Sequence, residues 1–152
     1  MNTVQLDAFD IIGIYVKTCN TDGSAAMDIP ALWSRFFAEN SMDKITNKTS
    51  EDIYAIYTEY EGDFTQPYTT IIGCKVASTL EIPEGMIACR IPAENYAKIE
   101  ATGMVNEGFV YKAWERIWQS ELPRAYVADF EVYGPGSQNP AHAMVDIYIG
   151  LK

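Results

Sequence analysis

The chain has 152 residues, with 21 acidic against 11 basic side chains and a formal net charge of −10. That length suits one domain with a substantial core, and a surface this acidic repels phosphate backbones and attracts cations, which argues against direct nucleic-acid binding. No apolar run approaches the ~20 residues that cross a bilayer, and the start, MNTVQLDAFD, lacks the basic lead and apolar stretch of a secretory signal. Cys19, Cys74 and Cys89 are odd in number and widely spaced, against a disulfide framework. A cytoplasmic protein is the expectation. No Cys–His spacing points to zinc and no glycine-rich loop to a phosphate cofactor, so neither metal nor cofactor is expected.

Phe9 to Lys17 is a dense β-branched and aromatic run and predicts a strand, with Gly13 at a bulge or a close approach. Asp22 to Ala26 reads as a polar loop. Asp28 offers an N-cap with Pro30 in the first turn, and Ile29, Leu32, Trp33, Phe36 and Phe37 form one helical stripe. Glu39 to Glu51 reads as a loop. Ile53 to Glu61 and Tyr68 to Ala77 are the next strands, joined through Gly62, Asp63 and Pro67. After the break at Pro83-Glu84-Gly85, Met86 to Ile91 and Glu94 to Thr102 read as extended. Asn106 can cap a second helix that runs to Glu121 ahead of Pro123, with Val110, Ala113, Trp114, Ile117 and Trp118 in the same stripe pattern.

The two halves resemble each other, which makes internal repeats of about 8–80 and 86–152. A shift of 81 superimposes Tyr15 on Tyr96, Lys17 on Lys98, Trp33 on Trp114 and Arg35 on Arg116. A shift of 72 then pairs Tyr54 with Tyr126 and Glu59 with Glu131, and a shift of 77 pairs Gly73 with Gly150. Neither half has enough core to stand alone. The expectation is an α+β domain: two strand-helix-strand-strand repeats related by a pseudo-twofold axis, a concave antiparallel sheet and two main helices. Clefts at such repeat boundaries are favoured ligand sites.

The last repeat contains Tyr126 to Pro135, YVADFEVYGP. Its alternation puts Tyr126, Ala128, Phe130 and Val132 on a core face and Val127, Asp129, Glu131 and Tyr133 on the other. A Glu on a second face ordinarily meets water. The aromatic density of the chain and the partner strand supplied by the duplication argue instead for Glu131 at the centre of a ligand site. Tyr133 shares its face and is the nearest companion. Tyr57, Tyr60, Phe109, Tyr111 and Trp114 are candidate walls, each with core packing as the ordinary alternative, and Glu59 is the candidate on the equivalent strand. His142 alternates with Met144, Asp146 and Tyr148, the pattern of an exposed strand face.

The duplicated strand-helix-strand-strand order, the Trp114 helix and the DFEVYGP strand resemble the GyrI-like effector-binding family. That module forms the ligand-binding part of AraC-type and MerR-type multidrug regulators and also occurs alone. The resemblance covers nearly the whole chain and implies one effector-binding domain over 1–152, a stand-alone member without the fused helix-turn-helix. It implies that Glu131 lies at the floor of the cleft facing lipophilic cations, and that Trp114 matches the family's helix tryptophan. A carboxylate ringed by aromatics suits a cation of delocalised charge, since each ring face adds about 0.5–2 kcal/mol.

The partners expected are therefore lipophilic cationic small molecules, either sequestered or reported to a separate regulator. Two alternatives stay open through the resemblance. One is hydrolysis of strained electrophiles, with the cleft Glu orienting water; no nucleophile–base pair stands out for it. The other is an interaction with DNA gyrase.

Overall fold

The computed structural model describes residues 2–104, 108–139 and 141–152. The first repeat contains β1 (Asn2–Leu6), β2 (Phe9–Thr18), α1 (Ser24–Ala38), a one-turn α2 (Ser41–Lys44), β3 (Ile53–Thr58) and β4 (Tyr68–Val76). The second contains β5 (Ile87–Ile91), β6 (Glu94–Gly103), α3 (Phe109–Trp118), β7 (Arg124–Tyr133) and β8 (Ala143–Leu151). All eight strands form one antiparallel sheet in the order β1-β6-β8-β7-β3-β4-β2-β5. Exchanging the repeats turns this order into its own reverse, which is what a pseudo-twofold axis between β3 and β7 requires. The chain is thus α+β, as its sequence implies. The first repeat carries a strand that was not expected, β1, because the polar start MNTVQL has little strand-like alternation; its counterpart β5 falls on the 86–91 stretch read as extended. No helix among the described residues is long and apolar enough to cross a membrane.

Two short links set the curvature. Asp7-Ala8 joins β1, at one edge, to β2, next to the opposite edge; Pro92-Ala93 joins β5 to β6 in the mirror sense. Two residues between strand ends reach only about 10 Å. The sheet must therefore curl until its edges come side by side, although β1 and β5 do not pair and the sheet stays open. The inside of the curl is filled by Ile11, Ile56, Ile71, Ile91, Tyr96 and Phe130, all 1% exposed or less. Among the described residues no helix covers that face. On the other face α1 packs Leu32 and Phe36 over β2 and β4, and α3 packs Ala113, Trp114 and Ile117 over β6 and β8. Both faces of β4 are thus buried, which explains why it is apolar or small almost throughout.

The strand bounds refine the duplication. Asn2 and Ile87, Phe9 and Glu94, and the helix-capping glycines Gly23 and Gly108 each differ by 85, and Tyr68 and Ala143 by 75. The pairing registers then relate β3 to β7 by 76. A slip of four, from 81 to 85, keeps a strand residue on its face and moves a helix residue only about 40°. Pattern matching therefore could not separate the two. Inside the helices the equivalence of Trp33 with Trp114 does hold. Trp33 packs edge-on to Tyr133 and Trp114 edge-on to Tyr57, at 4.8 and 5.4 Å between centroids, and the two tyrosines differ by 76. The tryptophan stands four residues, one turn, nearer the helix start in α3.

α1 begins at Ser24 and not after Asp28, because Gly23 adopts φ 79° and its neighbours supply acceptors for the first turn. Asp22 Oδ1 accepts from the Ser24 N–H at 2.9 Å and the Cys19 carbonyl from Ala25 N–H at 3.0 Å. Asp28 instead accepts a hydrogen bond from Thr18 Oγ1. The start of α3 differs likewise: Gly108 caps it with φ 65°, and the expected cap Asn106 lies outside the described residues.

Gly13 and Gly73 pair directly across β2 and β4. A β-carbon on Gly13 would press into the Ile72 carbonyl, and one on Gly73 into the Ile12 carbonyl. Gly73→Ala is expected to cost roughly 1–3 kcal/mol of stability, the scale of overpacking against backbone. Urea unfolding measures it, and an unchanged midpoint would show that β2 and β4 can part freely.

Candidate functional site

The central strands β3 and β7 and the two helices α1 and α3 enclose a cavity of about 550 Å³. Its walls are mostly aromatic. All three tryptophans of the chain, Trp33, Trp114 and Trp118, line it, together with Tyr57, Tyr60, Phe64, Tyr68, Tyr111 and Tyr133. Ala25, Ala26, Ile29 and Pro30 close the α1 side.

Glu131 forms the floor. It projects from the helix-covered face of β7, opposite Ala55 of β3, and is 2% exposed. Tyr57 donates to its Oε2 at 3.0 Å, Trp114 Nε1 donates to the same oxygen at 2.6 Å, and Tyr133 donates to Oε1 at 2.6 Å. Burial raises its pKa above the ordinary carboxylate value, and the three donors pull the other way without cancelling it. Burial, reinforced by the Glu131 charge, also holds the Tyr57 and Tyr133 phenols well above their usual range, so both remain donors. Among the described residues no Lys, Arg or His forms an ion pair with Glu131.

Two residues earlier on β7, Asp129 is equally deep, at 0% exposed, yet fully partnered. Arg124 Nη2 and the Tyr60 hydroxyl donate to its Oδ2 at 2.7 and 2.6 Å, and the Gly150 N–H donates to Oδ1 at 2.8 Å. The pair depends on a bulge. The register of β7 against β8 shifts between Arg124 and Asp129, and Tyr126 within it adopts φ 55°. Regular alternation would put residues 124 and 129 on opposite faces; the bulge brings both to the cavity side. Arg124 also stacks on Tyr126, 4.4 Å from ring centroid to guanidinium carbon.

Of the residues singled out from sequence, Glu131, Tyr133, Trp114, Tyr111, Tyr57 and Tyr60 line the cavity. Two do not. Phe109 stands at the start of α3, where its ring lies against Gly103 and joins the core under the helix. Its position at the edge of the apolar stripe suggested a wall, but that edge of α3 packs down on β6 at Gly103 and not on the cavity. Glu59 is exposed beyond the end of β3, at φ 53°. The register makes Ala55, not Glu59, the counterpart of Glu131, so the shift of 72 misplaced it by two turns of the pleat. Sequence reasoning passed over Trp33 and Trp118, taken only as helix packing, and Phe64 and Tyr68. It also passed over Arg124, whose only signal was a lone cation at the head of a strand.

Residues 3–151 match the family model described as Cass2, integron-associated effector binding protein. An integron cassette protein of Vibrio cholerae is 27% identical, with TM-score 0.78 over 99% of this chain and 95% of its own. YobU of Bacillus subtilis, whose name conjectures a role in transcriptional regulation, is 27% identical across 97% of this chain and 95% of its own length. The structure of SAV2435 bound to tetraphenylphosphonium shares the fold, with TM-score 0.80 at 19% identity over 99% and 93% of the two chains. A match spanning all eight strands, both main helices and every wall of the cavity leaves one conclusion: the chain belongs to the Cass2 family of integron-associated effector binding proteins, homologous to the GyrI-like effector-binding domains.

Proposed function

We propose that the protein binds lipophilic cations in the aromatic cavity, with Glu131 as the charge partner. The observation that carries this reading is a buried carboxylate whose three donors are all neutral cavity-wall rings. An isolated buried carboxylate is expensive, and hydrogen bonds from neutral groups offset only part of that cost. A ligand cation supplies the missing charge. Each donor also points its N–H or O–H dipole at Glu131, so the ring faces turned to the cavity become richer in electron density. The negative charge thus reaches the ligand through aromatic surface, which suits delocalised cations and imposes little directional geometry. SAV2435, of the same fold, binds such a cation in its solved structure. With both its oxygens already engaged by ring donors, Glu131 is better placed to hold charge than to activate water, which favours binding over the hydrolytic alternative.

Tetraphenylphosphonium tests the reading directly, because its charge is independent of pH. Glu131→Gln is expected to weaken its binding by roughly 1–3 kcal/mol, the low end for removing one member of a partly shielded charge pair, or about 5- to 150-fold in Kd. Glu59→Gln, outside the cavity, should leave Kd unchanged. The three cavity tryptophans make quenching of intrinsic fluorescence the natural readout. Equal affinity of wild type and Glu131→Gln would remove Glu131 from the site.

The raised pKa gives the sign of a second test. A cation binds the ionised carboxylate, so binding is fully supported above the raised pKa and is lost as pH falls through it. Affinity should therefore begin to drop above the ordinary carboxylate value of 4.5, whereas Glu131→Gln should be flat over the same range. A wild-type Kd constant between pH 8 and 4.5 would contradict the assignment.

A further inference from the structure

The guanidinium of Arg124 is the second polar group of the cavity that its surroundings do not satisfy. The side chain is 4% exposed and lines the cavity wall between Trp114 and Tyr126. Its Nη2 donates to Asp129, but Nε and Nη1 have no hydrogen-bond acceptor among the described residues. Buried donors without acceptors are rare in folded proteins and call for a specific cause. Ring stacking engages the face of the guanidinium, whereas these N–H groups lie in its plane. Among the described residues no other positively charged side chain lines the cavity.

We infer that Arg124 is an acceptor-binding subsite, and that the effectors of this protein are lipophilic cations carrying an uncharged carbonyl-type oxygen, as in a ketone, ester or amide. This rests on the cation-binding reading and adds a second point of recognition to it. The charge balance selects the acceptor. Asp129 already neutralises Arg124 at 2.7 Å, and Glu131 lies two residues along the same strand face. A ligand carboxylate would enter beside two buried acids with one cation between them. A carbonyl oxygen accepts from Nε or Nη1 without adding charge, and bonds to an ionised donor are the stronger kind. The bulge supports the role. It holds Tyr126 in a left-handed conformation that non-glycine residues seldom adopt, and its effect is to turn Arg124 into the cavity wall. The resulting site has two poles, an acidic one on the floor at Glu131 and a donor one at Arg124, joined by aromatic surface.

Three phosphonium probes separate the possibilities: tetraphenylphosphonium, (4-acetylphenyl)triphenylphosphonium, and (4-isopropenylphenyl)triphenylphosphonium. The last two have nearly the same shape, with oxygen in one replaced by a methylene in the other. Calorimetric titration of the wild-type protein should show the acetyl compound bound about tenfold more tightly than the isopropenyl compound, the scale of one hydrogen bond to a charged donor. Arg124→Lys keeps a cation beside Asp129 while removing the planar donors, and the double variant Arg124→Met with Asp129→Asn removes both charges together. In whichever of these folds, the ratio of the two affinities should fall below threefold; using a ratio cancels any general weakening. A wild-type ratio within twofold, or a ratio unchanged in the variants, overturns the subsite. If tetraphenylphosphonium binds with dependence on Glu131 but no acetyl preference appears, only the subsite falls. If none of the three binds, the cation-binding reading falls and the subsite with it.

Discussion

The structure turns on a buried carboxylate that no cationic side chain of the described residues pairs. Glu131 is 2% exposed and held by Tyr57, Trp114 and Tyr133. Asp129, two residues earlier and equally buried, has an arginine, a phenol and a backbone N–H. The comparison is controlled by the molecule itself: same strand, same face, same depth, different completion. Burying an ion costs several kcal/mol after relaxation, and a charged partner is the usual remedy. At Asp129 that remedy is built into the fold, and the outcome is a fixed wall. At Glu131, among the described residues, neutral ring donors stand in its place.

The geometry that makes this possible comes from the duplication. Two-residue links between opposite edges of the sheet force the curl, and the curl encloses one core on the helix-free face. Stability then does not depend on filling the space between the helices. Each helix buries its stripe over its own half, Leu32 and Phe36 under α1, Ala113 and Ile117 under α3. The seam above the central strands is left for rings that meet edge-on, in pairs that exchange between repeats: Trp33 with Tyr133, Trp114 with Tyr57. Edge-on contacts leave ring faces free.

Much of this was legible in the chain. The alternation of YVADFEVYGP places Glu131 and Tyr133 on one face, and the tryptophan stripes place two helices above the sheet. What stayed hidden has physical causes. A slip of four residues is nearly silent in both the strand and the helix period, so the first two strands of the repeat were aligned four residues out and Glu59 was matched wrongly. Both helices start on a left-handed glycine, Gly23 and Gly108, where the preference for side-chain caps pointed to Asp28 and Asn106. Arg124 was hidden by the bulge, since unbroken alternation sets it and Asp129 on opposite faces. Binary patterns carry faces; they do not carry the irregularities that join one face to another.

The pseudo-twofold axis crosses the sheet at the floor of the cavity. Ala55 and Glu131 differ by the 76 that relates β3 to β7, and they pair directly with each other. They are therefore each other's symmetry mates, and the axis passes between them. Had both positions kept an acid, two carboxylates would face each other about 5 Å apart at the centre of the cavity, and like charges so close cannot both stay ionised. One would hold the proton, and a single cation would again suffice. Ala55 and Glu131 resolve that conflict by asymmetry: one charge beside the axis, bonded from α3 by Trp114 and from the two central strands by Tyr57 and Tyr133. The symmetric frame supplies the shape of the cavity, and the break in symmetry at its centre supplies the charge.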